Sequence, residues 1–494
     1  MIIGAGPAGL TAAYELAKAG VHSTIFEKDG VVGGLARTLT YKDCLFDLGG
    51  HRFFTKVEIV ERLWREVLGE DLLLRPRLSR IYFDSKFYKY PLELLDVIGQ
   101  LGPWELLRCA TSYLKSQLLP AQPEDDVATW IKNRFGDRLY RKFFKTYTEK
   151  VWGIPCDQIK ADWAAQRIRG LTLGSAIQDA FRRRLPRDKA RHRTLTRQFH
   201  YPRKGPGMMW TRVRDLVESK GSKVHLNSAV ERIFWERGGV TALQAGGRKW
   251  PGSHFISTLP IPTLIRSLDP APPWAVQQCA DDFCYRDFLI VALIVKGSDL
   301  FPDNWVYIHD PQVRVGRIQN YSNWSPEMTP DPSISSLGLE YFCSEGDALW
   351  TMSDAELIAL GGRELEAIGL AGNPKILDAT VIRVPKAYPV YNATYRRGLA
   401  VVREFLATVP NLQLVGRNGQ HRYNNQDHSM LAALLAARNI LGARFDLWNL
   451  NTDQDFLEEG LSLTDAELLG MQASQPLVPE LVTFSGRGCG DGCS

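Results

Sequence analysis

The feature that most constrains the fold is a glycine pattern in the first ten residues, Gly4-x-Gly6-x-x-Gly9 in "IIGAGPAGL". It follows a short β-branched run and leads directly into a helical pattern. The first glycine permits a tight turn, the second lets backbone N–H groups approach a pyrophosphate, and the third lets helix and strand pack closely. The pattern predicts a dinucleotide-binding βαβ unit whose phosphates lie on the N-terminus of the helix.

An acidic residue completes this unit. The second strand pattern, "HSTIFEK", ends at Glu27, about 20 residues after the glycines, where a carboxylate can accept hydrogen bonds from a ribose diol. Strand, glycines, helix, strand and acid therefore occur in the order that dinucleotide binding requires.

Composition narrows the class of protein. The 494 residues are 45% hydrophobic and 23% charged, as in globular proteins of two or three domains. No apolar run reaches the roughly 18 residues of a membrane span, so no integral membrane segment is expected. Eight cysteines without a paired framework favour a cytoplasmic location. Cys489 and Cys493 lie in a glycine-rich tail, and no metal site is predicted.

One segment is strongly basic although the net charge is only +5. The run "FRRRLPRDKARHR", residues 181–193, has seven Lys or Arg against one Asp. We expect a solvated loop, and the alternative is attraction of an anionic ligand or a membrane surface. No nucleic-acid partner is expected, because no basic module with interleaved aromatic residues surrounds the run.

Later glycine turns resemble those of FAD proteins in the amine-oxidase and protoporphyrinogen-oxidase superfamily. The pair Gly33-Gly34 follows Glu27 closely, and "SHFISTLP" (253–260) and "NLQLVGRNG" (411–419) resemble the superfamily's returning strands. This resemblance implies a tightly held FAD in a domain built from separated segments. The expected contacts in the first two turns are Gly4, Gly6, Pro7, Ala8, Gly9, Glu27, Lys28, Gly33, Gly34, Leu35, Ala36 and Arg37.

Six further motifs resemble the flavin-dependent UDP-galactopyranose mutases. They are "DLGGHRFF", "YTEKVWGIP", "YPRKGPGMMW", "QNYSNWSP", "AYPVYN" and "GRNGQHRYNNQDHSM", in consistent order within residues 1–445. The resemblance implies interconversion of the pyranose and furanose forms of a nucleotide-linked sugar, with N5 of reduced FAD as the nucleophile. NAD(P)H is then a candidate reductant, and a nucleotide sugar is the expected small-molecule partner.

The same resemblance implies roles for individual residues. His51, Arg167 and Arg317 are the expected catalytic residues, and the two arginines suit a departing diphosphate because a planar guanidinium binds phosphate oxygens in pairs. The expected substrate-binding residues are Trp152, Arg167, Tyr307, Arg317, Tyr321, Tyr388 and Tyr423. The expected flavin contacts outside the first two turns are Gly49, Gly50, His51, Gly416, Arg417, Asn425, Gln426, Asp427 and Ser429.

A helix beginning near Ser429 would point its positive N-terminus at the flavin. The polar residues Asn425, Gln426 and Asp427 are expected to precede that helix.

The expected fold class is α/β, with a Rossmann-like FAD-binding domain, a helical insertion and a mixed or antiparallel substrate-domain sheet. Helical periodicity marks residues 92–200 as the insertion, and short alternating runs mark residues 261–400 as the sheet. The FAD-binding domain is then assigned residues 1–91, 201–260 and 401–445, and residues 446–494 form a C-terminal extension.

Two other functions stay open. Arg52 after His51, and a loop "NYSNWSP" two residues longer than the mutase pattern, favour a FAD-dependent oxidoreductase that oxidises or desaturates a small molecule or glycosyl substrate. A non-catalytic FAD-binding protein is the third interpretation, since one scaffold hosts several functions.

Overall fold

The computed structural model describes residues 1–55, 57–90, 92, 94–161, 198–372, 374–448 and 450. Its strands are β1 (Ile2–Ile3), β2 (Thr24–Phe26), β3 (Thr38–Tyr41), β4 (Cys44–Asp47), β5 (Leu72–Pro76), β6 (Ser79–Phe83), β7 (Lys86–Lys89), β8 (Gln198–Pro202), β9 (Lys223–His225), β10 (Val230–Glu236), β11 (Gly239–Ala245), β12 (Arg248–Pro251), β13 (Phe255–Ser257), β14 (Leu268–Asp269), β15 (Tyr285–Lys296), β16 (Trp305–Ile308), β17 (Arg317–Asn320), β18 (Ile334–Cys343), β19 (Ile376–Pro389) and β20 (Leu412–Leu414).

The helices lie between these strands. They are α1 (Pro7–Lys18), α2 (Glu58–Leu68), α3 (Leu94–Gln100), α4 (Pro103–Leu118), α5 (Val127–Phe135), α6 (Asp137–Leu139), α7 (Thr146–Trp152), α8 (Gly207–Ser219), α9 (Ile261–Ser267), α10 (Trp274–Asp281), α11 (Ala348–Thr351), α12 (Asp354–Ile368), α13 (Tyr395–Ala407), α14 (Gly416–Gly419) and α15 (Gln426–Ile440). A π-helical turn, Tyr140–Lys145, joins α6 to α7.

A five-stranded parallel sheet, in the order β20-β13-β1-β2-β9, contains the glycine motif. Ile2 is paired with Ile25 on one side and with Ile256 on the other, so distant parts of the chain form adjacent strands. Helices α1, α8 and α15 cover one face. Helix α15 is apolar on all sides from Met430 to Ala437, and residues 429–437 are buried, as expected for a helix in the interior of a domain.

A seven-stranded sheet, in the order β19-β15-β18-β17-β16-β6-β7, forms the second layer. Strand β15, next to the edge strand β19, is buried from residue 287 to residue 295 and is apolar from Phe288 onward, as expected where both faces of a sheet are covered. The register places Arg317 opposite Tyr307 on one neighbouring strand and opposite Glu340 on the other. The sheet therefore places the side chains of Tyr307, Arg317 and Glu340 side by side on three adjacent strands.

These two sheets confirm the predicted α/β fold class. The large sheet also includes β6 and β7, and β8 begins at Gln198 and pairs with β5. The domain boundaries drawn from the sequence stay predictions. None of the described helices is both long enough and apolar enough to cross a membrane.

The start of α15 differs from the sequence prediction. The helix begins at Gln426 and not near Ser429, and Asn425 is its N-cap residue. The Asn425 backbone N–H donates to Nδ1 of His428, 3.1 Å away. Polar residues are favoured in exactly such first turns, which is why this stretch resembled a loop in the sequence.

Candidate functional site

The N-terminal glycines form a close junction between two turns. Gly4 has a φ of +97°, and a Cβ at Gly9 would lie 1.9 Å from the Gly4 carbonyl oxygen, so any larger residue at position 9 would push the helix off the strand. A Cβ at Gly34 would lie 3.2 Å from the Cα of Gly6, because the second glycine turn packs directly on the first. Pro7 opens α1, whose N-cap Gly6 offers no side-chain acceptor and whose first turn holds no acid. This N-terminus has the form of a phosphate-binding site.

Glu27 is held at the same turn. Its side chain is buried. Its Oε2 accepts a hydrogen bond from the Ala5 backbone N–H at 2.8 Å, and its Oε1 accepts one from the Asp29 backbone N–H at 3.0 Å. Each carboxylate oxygen keeps a second lone pair that suits a ribose hydroxyl. Arg37 pairs with Asp29, and Lys28 is exposed. The predicted contacts Leu35 and Ala36 lie in the short 3-10 turn Gly34–Ala36.

Two later glycines continue this surface. A Cβ at Gly416 would lie 3.2 Å from the Cβ of Ala8, so the turn after β20 also packs against α1. A Cβ at Gly50 would lie 2.8 Å from Nε2 of Gln319, which brings the Gly49-Gly50 turn onto the large sheet. The residues that line the turns, with their close glycine contacts and uncapped helix, fit a dinucleotide such as FAD.

His51 follows this turn and is neutral at pH 7. Its Nε2 lies 2.8 Å from the Leu48 carbonyl oxygen. Burial lowers its pKa to about 4 against the effect of that hydrogen bond, and the charges of Arg417 and Arg317 lower the pKa further. A neutral imidazole here is a hydrogen-bonding group and not a cation.

Arg317 forms a buried ion pair with Glu340. Its Nε and Nη2 lie 2.9 and 2.5 Å from the same oxygen, Oε2 of Glu340, and the glutamate side chain is fully buried. Gln319 donates to the other glutamate oxygen at 2.8 Å. Among the described residues, Nη1 of Arg317 has no hydrogen-bond partner. One edge of the guanidinium therefore remains for a ligand.

Aromatic side chains surround this ion pair. The rings of Tyr388 and Tyr423 are stacked with centroids 5.4 Å apart. The ring centroids of Trp152 and Tyr423 lie 6.1 Å apart. Tyr307 lies 5.4 Å from Tyr147. Burial raises the pKa of Tyr388 to about 12, so its hydroxyl stays protonated and can donate at neutral pH.

Arg417 supports the loop before α15. Its Nε and Nη2 donate to the Asn424 carbonyl, and Nη1 donates to the Ala387 carbonyl at 3.0 Å. The guanidinium also lies over the rings of Tyr388 and Tyr423, at 5.6 and 5.0 Å. The site thus combines two guanidinium groups with a stacked tyrosine pair.

Several predicted contacts have partners within the protein. The Tyr321 hydroxyl is fully buried and donates to the Asp47 carbonyl at 2.8 Å, so this geometry does not present it to a ligand. Gln426 accepts from the Trp210 indole at 3.2 Å, and Ser429 donates to the Asn424 side chain at 3.0 Å. The predicted ligand roles of these residues stay predictions.

The remaining predicted residues are placed as follows. Asp427 is buried in the first turn of α15. Arg167 lies outside the described residues. His51, Arg317, Arg417, Tyr388, Tyr423 and Trp152 are brought together, whereas Tyr321 is turned into the core.

Three groups at the site were not predicted from the sequence: Glu340, Tyr147 and Gln319. Glu340 is the one acid in the mostly apolar strand "ISSLGLEYFC". A carboxylate in a buried strand indicates that it has a hydrogen-bonding or charged partner in the interior. Tyr147 stacks on His309 at 4.6 Å and belongs to a motif that had been recognised only for Trp152. Gln319 had no comparable signal.

Comparison with known proteins agrees with this geometry. The family model described as flavin containing amine oxidoreductase matches residues 7–441. L-amino acid oxidase Cdc18 of Crotalus durissus cumanensis is 47% identical over 66 residues, 13% of each chain. Protoporphyrinogen oxidase 2 of Arabidopsis thaliana is 42% identical over 201 residues, 36% of this chain and 39% of the relative. The matched stretches therefore span well under half the length of these relatives.

Solved structures share the fold over most of the chain. A reduced UDP-galactopyranose mutase superimposes with a TM-score of 0.79 at 21% identity, covering 92% of this chain and 97% of that one. A putative protoporphyrinogen oxidase from Exiguobacterium sp. 255-15 gives a TM-score of 0.68 at 19% identity, covering 89% and 97%. From the family match over most of its length, the chain belongs to the flavin-containing amine oxidoreductases, a family that implies FAD as the cofactor.

Proposed function

We propose that this flavoenzyme interconverts the ring forms of a nucleotide-linked sugar and that Arg317 binds the diphosphate. The observation that carries the proposal is the Arg317 guanidinium, whose Nη1 has no hydrogen-bond partner among the described residues and whose Nη2 lies near the Gly49-Gly50 turn. A Cβ at Gly49 would lie 3.7 Å from Nη2 of Arg317, so cation and flavin-side turn are neighbours. An apolar substrate would not need a guanidinium group in this position.

The chain's own groups fit this reaction. Bound FAD, when reduced, supplies a nucleophilic N5. Arg317 and the Tyr388 and Tyr423 hydroxyls would bind the diphosphate as it leaves the anomeric carbon with the bonding electrons. Trp152 and Tyr307 would enclose the sugar and exclude water. Neutral His51 would donate or accept a hydrogen bond beside the flavin without adding charge.

A net oxidoreductase is the second candidate. It is supported by the stretch that is 42% identical to a plant protoporphyrinogen oxidase and by Glu340, which neutralises much of the Arg317 charge. Such an enzyme would consume an electron acceptor stoichiometrically, whereas a mutase needs only an initial reduction.

A trapping experiment separates the two candidates. The FAD-loaded protein is reduced with dithionite, offered a panel of nucleotide sugars, and treated with cyanoborohydride before the extracted flavin is weighed. We expect a flavin heavier by one sugar unit with one donor of the panel. Unmodified flavin across the panel, together with a compound that bleaches the oxidised flavin, would replace the mutase proposal with the oxidoreductase.

The diphosphate assignment has its own test. We expect Arg317→Ala to abolish ring interconversion while the absorbance of bound FAD is retained. Arg266→Ala is the matched control, since Arg266 is 66% exposed and pairs with Asp281 on a neighbouring helix. Full turnover in Arg317→Ala would remove the diphosphate role from this residue.

A further inference from the structure

Helices α3 and α4 leave an apolar face uncovered. Trp104, Leu107, Leu114 and Leu118 of α4 are 64, 53, 58 and 79% exposed. They follow one another at intervals of three, seven and four residues, which places them on one side of the helix. Leu119 directly after the helix is also exposed, at 73%, as is Leu95 of α3, at 58%. Large apolar side chains exposed along one side of a helix are typical of a docking surface.

The exposed charges on α4 are positive. Arg108 is 54% exposed and its guanidinium lies 5.4 Å from the Trp104 ring centroid, and Lys115 is exposed one turn from Leu118. The one acid of α4, Glu105, is only 18% exposed and accepts from Arg138 at 2.6 and 2.9 Å. The exposed charges of the helix therefore complement an anionic partner.

We propose that this apolar face docks on the surface of a lipid bilayer that contains anionic headgroups. Tryptophan and leucine side chains enter the boundary between headgroups and acyl chains, while long basic side chains reach the phosphates. The helix lies in the surface, because none of the described helices can cross a membrane. A two-fold contact through this face would instead bring the positive charges of Arg108 and Lys115 near those of the second copy, and such like-charge contacts oppose dimerisation.

Vesicle sedimentation tests this proposal independently of the reaction. The FAD-loaded full chain is mixed with vesicles of equal parts phosphatidylcholine and phosphatidylglycerol, or of phosphatidylcholine alone, and centrifuged. We expect co-sedimentation with the anionic vesicles and much less with the neutral ones. Leu114→Glu should abolish most of it, whereas Leu74→Glu should not, since Leu74 is an exposed leucine of similar exposure, 55%, on β5.

The charge contribution is measured with a second variant. Arg108→Ala combined with Lys115→Ala should weaken sedimentation at low salt, and added salt should weaken that of the unaltered chain. Bound FAD and unchanged melting temperatures show that the variants are folded. The proposal is overturned if the unaltered chain stays in the supernatant, or if Leu114→Glu sediments normally. It is also overturned if the chain is a dimer that Leu114→Glu converts to a monomer, which would assign the face to a second copy.

Discussion

At the scale of single residues, the site depends on a buried pair of opposite charges. Glu340 is fully buried and its carboxylate contacts Arg317, whose side chain is 17% exposed. Breaking such a pair by removing one charge typically costs about 3–5 kcal/mol, because the other charge is left without compensation. The same carboxylate also repels an approaching phosphate. Glu340 therefore holds the Arg317 guanidinium in place and would lower its affinity for the proposed diphosphate.

We expect Glu340→Gln to lower the free energy of unfolding by roughly 3 kcal/mol and to tighten binding of UDP. The amide keeps the size of the side chain but removes the charge that competes with the ligand. Thermal unfolding with and without UDP measures both effects. Asp281→Asn, which breaks an exposed ion pair, should change stability by less than about 1 kcal/mol and leave UDP binding unchanged. Weaker UDP binding in Glu340→Gln would contradict this role.

At the scale of secondary structure, α7 connects Trp152 to the strands that contain Tyr307 and Arg317. Lys150 donates to the carbonyl oxygens of residues 308, 310 and 315, at 3.2, 2.6 and 3.2 Å, at the end of β16 and in the loop that joins it to β17. At its C-terminus, Arg286 donates to the Val151 and Lys150 carbonyls at 3.2 and 3.4 Å. These contacts hold the helix that carries Trp152.

We expect Lys150→Met to raise the KM for the substrate severalfold, with little loss of bound FAD. Methionine keeps the length of the side chain but supplies no donor, so the loop between β16 and β17 is released while the glycine turns are untouched. Steady-state kinetics and flavin absorbance provide the measurements. Lys223→Met, an exposed lysine on β9, is the control and should behave as the unaltered chain. An equal loss of FAD in Lys150→Met would indicate general destabilisation instead.

The helix start and these contacts show what the sequence can and cannot predict. The glycines at 4, 6, 9, 33 and 34 were predictable because each turn is encoded within a few residues. Tyr388 and Tyr423 are predicted from motif resemblance, the structure stacks their rings, and their substrate-binding role stays a prediction. Glu340 and Lys150 act across strand pairs and loops far apart in the chain, so local pattern did not reveal their partners. The start of α15 was misplaced because capping residues and loop residues are the same types.

At the scale of the whole molecule, a buried carboxylic acid joins several segments. The Asp47 side chain accepts from Thr38 at 2.7 Å and from the Tyr201 hydroxyl, and its backbone carbonyl accepts from Tyr321. It therefore connects the β3–β4 hairpin with β8 and with the turn after β17. Burial raises the Asp47 pKa from 3.8 to about 7, against the opposing effect of the two donors.

This raised pKa predicts the pH dependence of stability. Between pH 3.8 and about 7 the folded chain retains a proton on Asp47 that the unfolded chain has lost. The contribution of this proton to the free energy of unfolding is therefore fully present below pH 3.8, and it is lost as the pH rises through about 7. Asp47→Asn should therefore flatten the dependence of melting temperature on pH in this window. Thermal unfolding across the window tests this, with Asp215→Asn, an exposed acid, as control. A parallel curve for Asp47→Asn would contradict the prediction.

The order of strands in the parallel sheet has a consequence for biosynthesis. Strand β1 is synthesised first, yet its neighbour β13 lies at residues 255–257 and the edge strand β20 at residues 412–414. The turn at Gly416 that packs on Ala8 emerges from the ribosome later still. Contacts this distant form slowly and leave strand edges open in the meantime. The parallel sheet therefore stays incomplete in the nascent chain until residues 412–414 have been synthesised, and the Gly416 turn that packs on α1 is added after them.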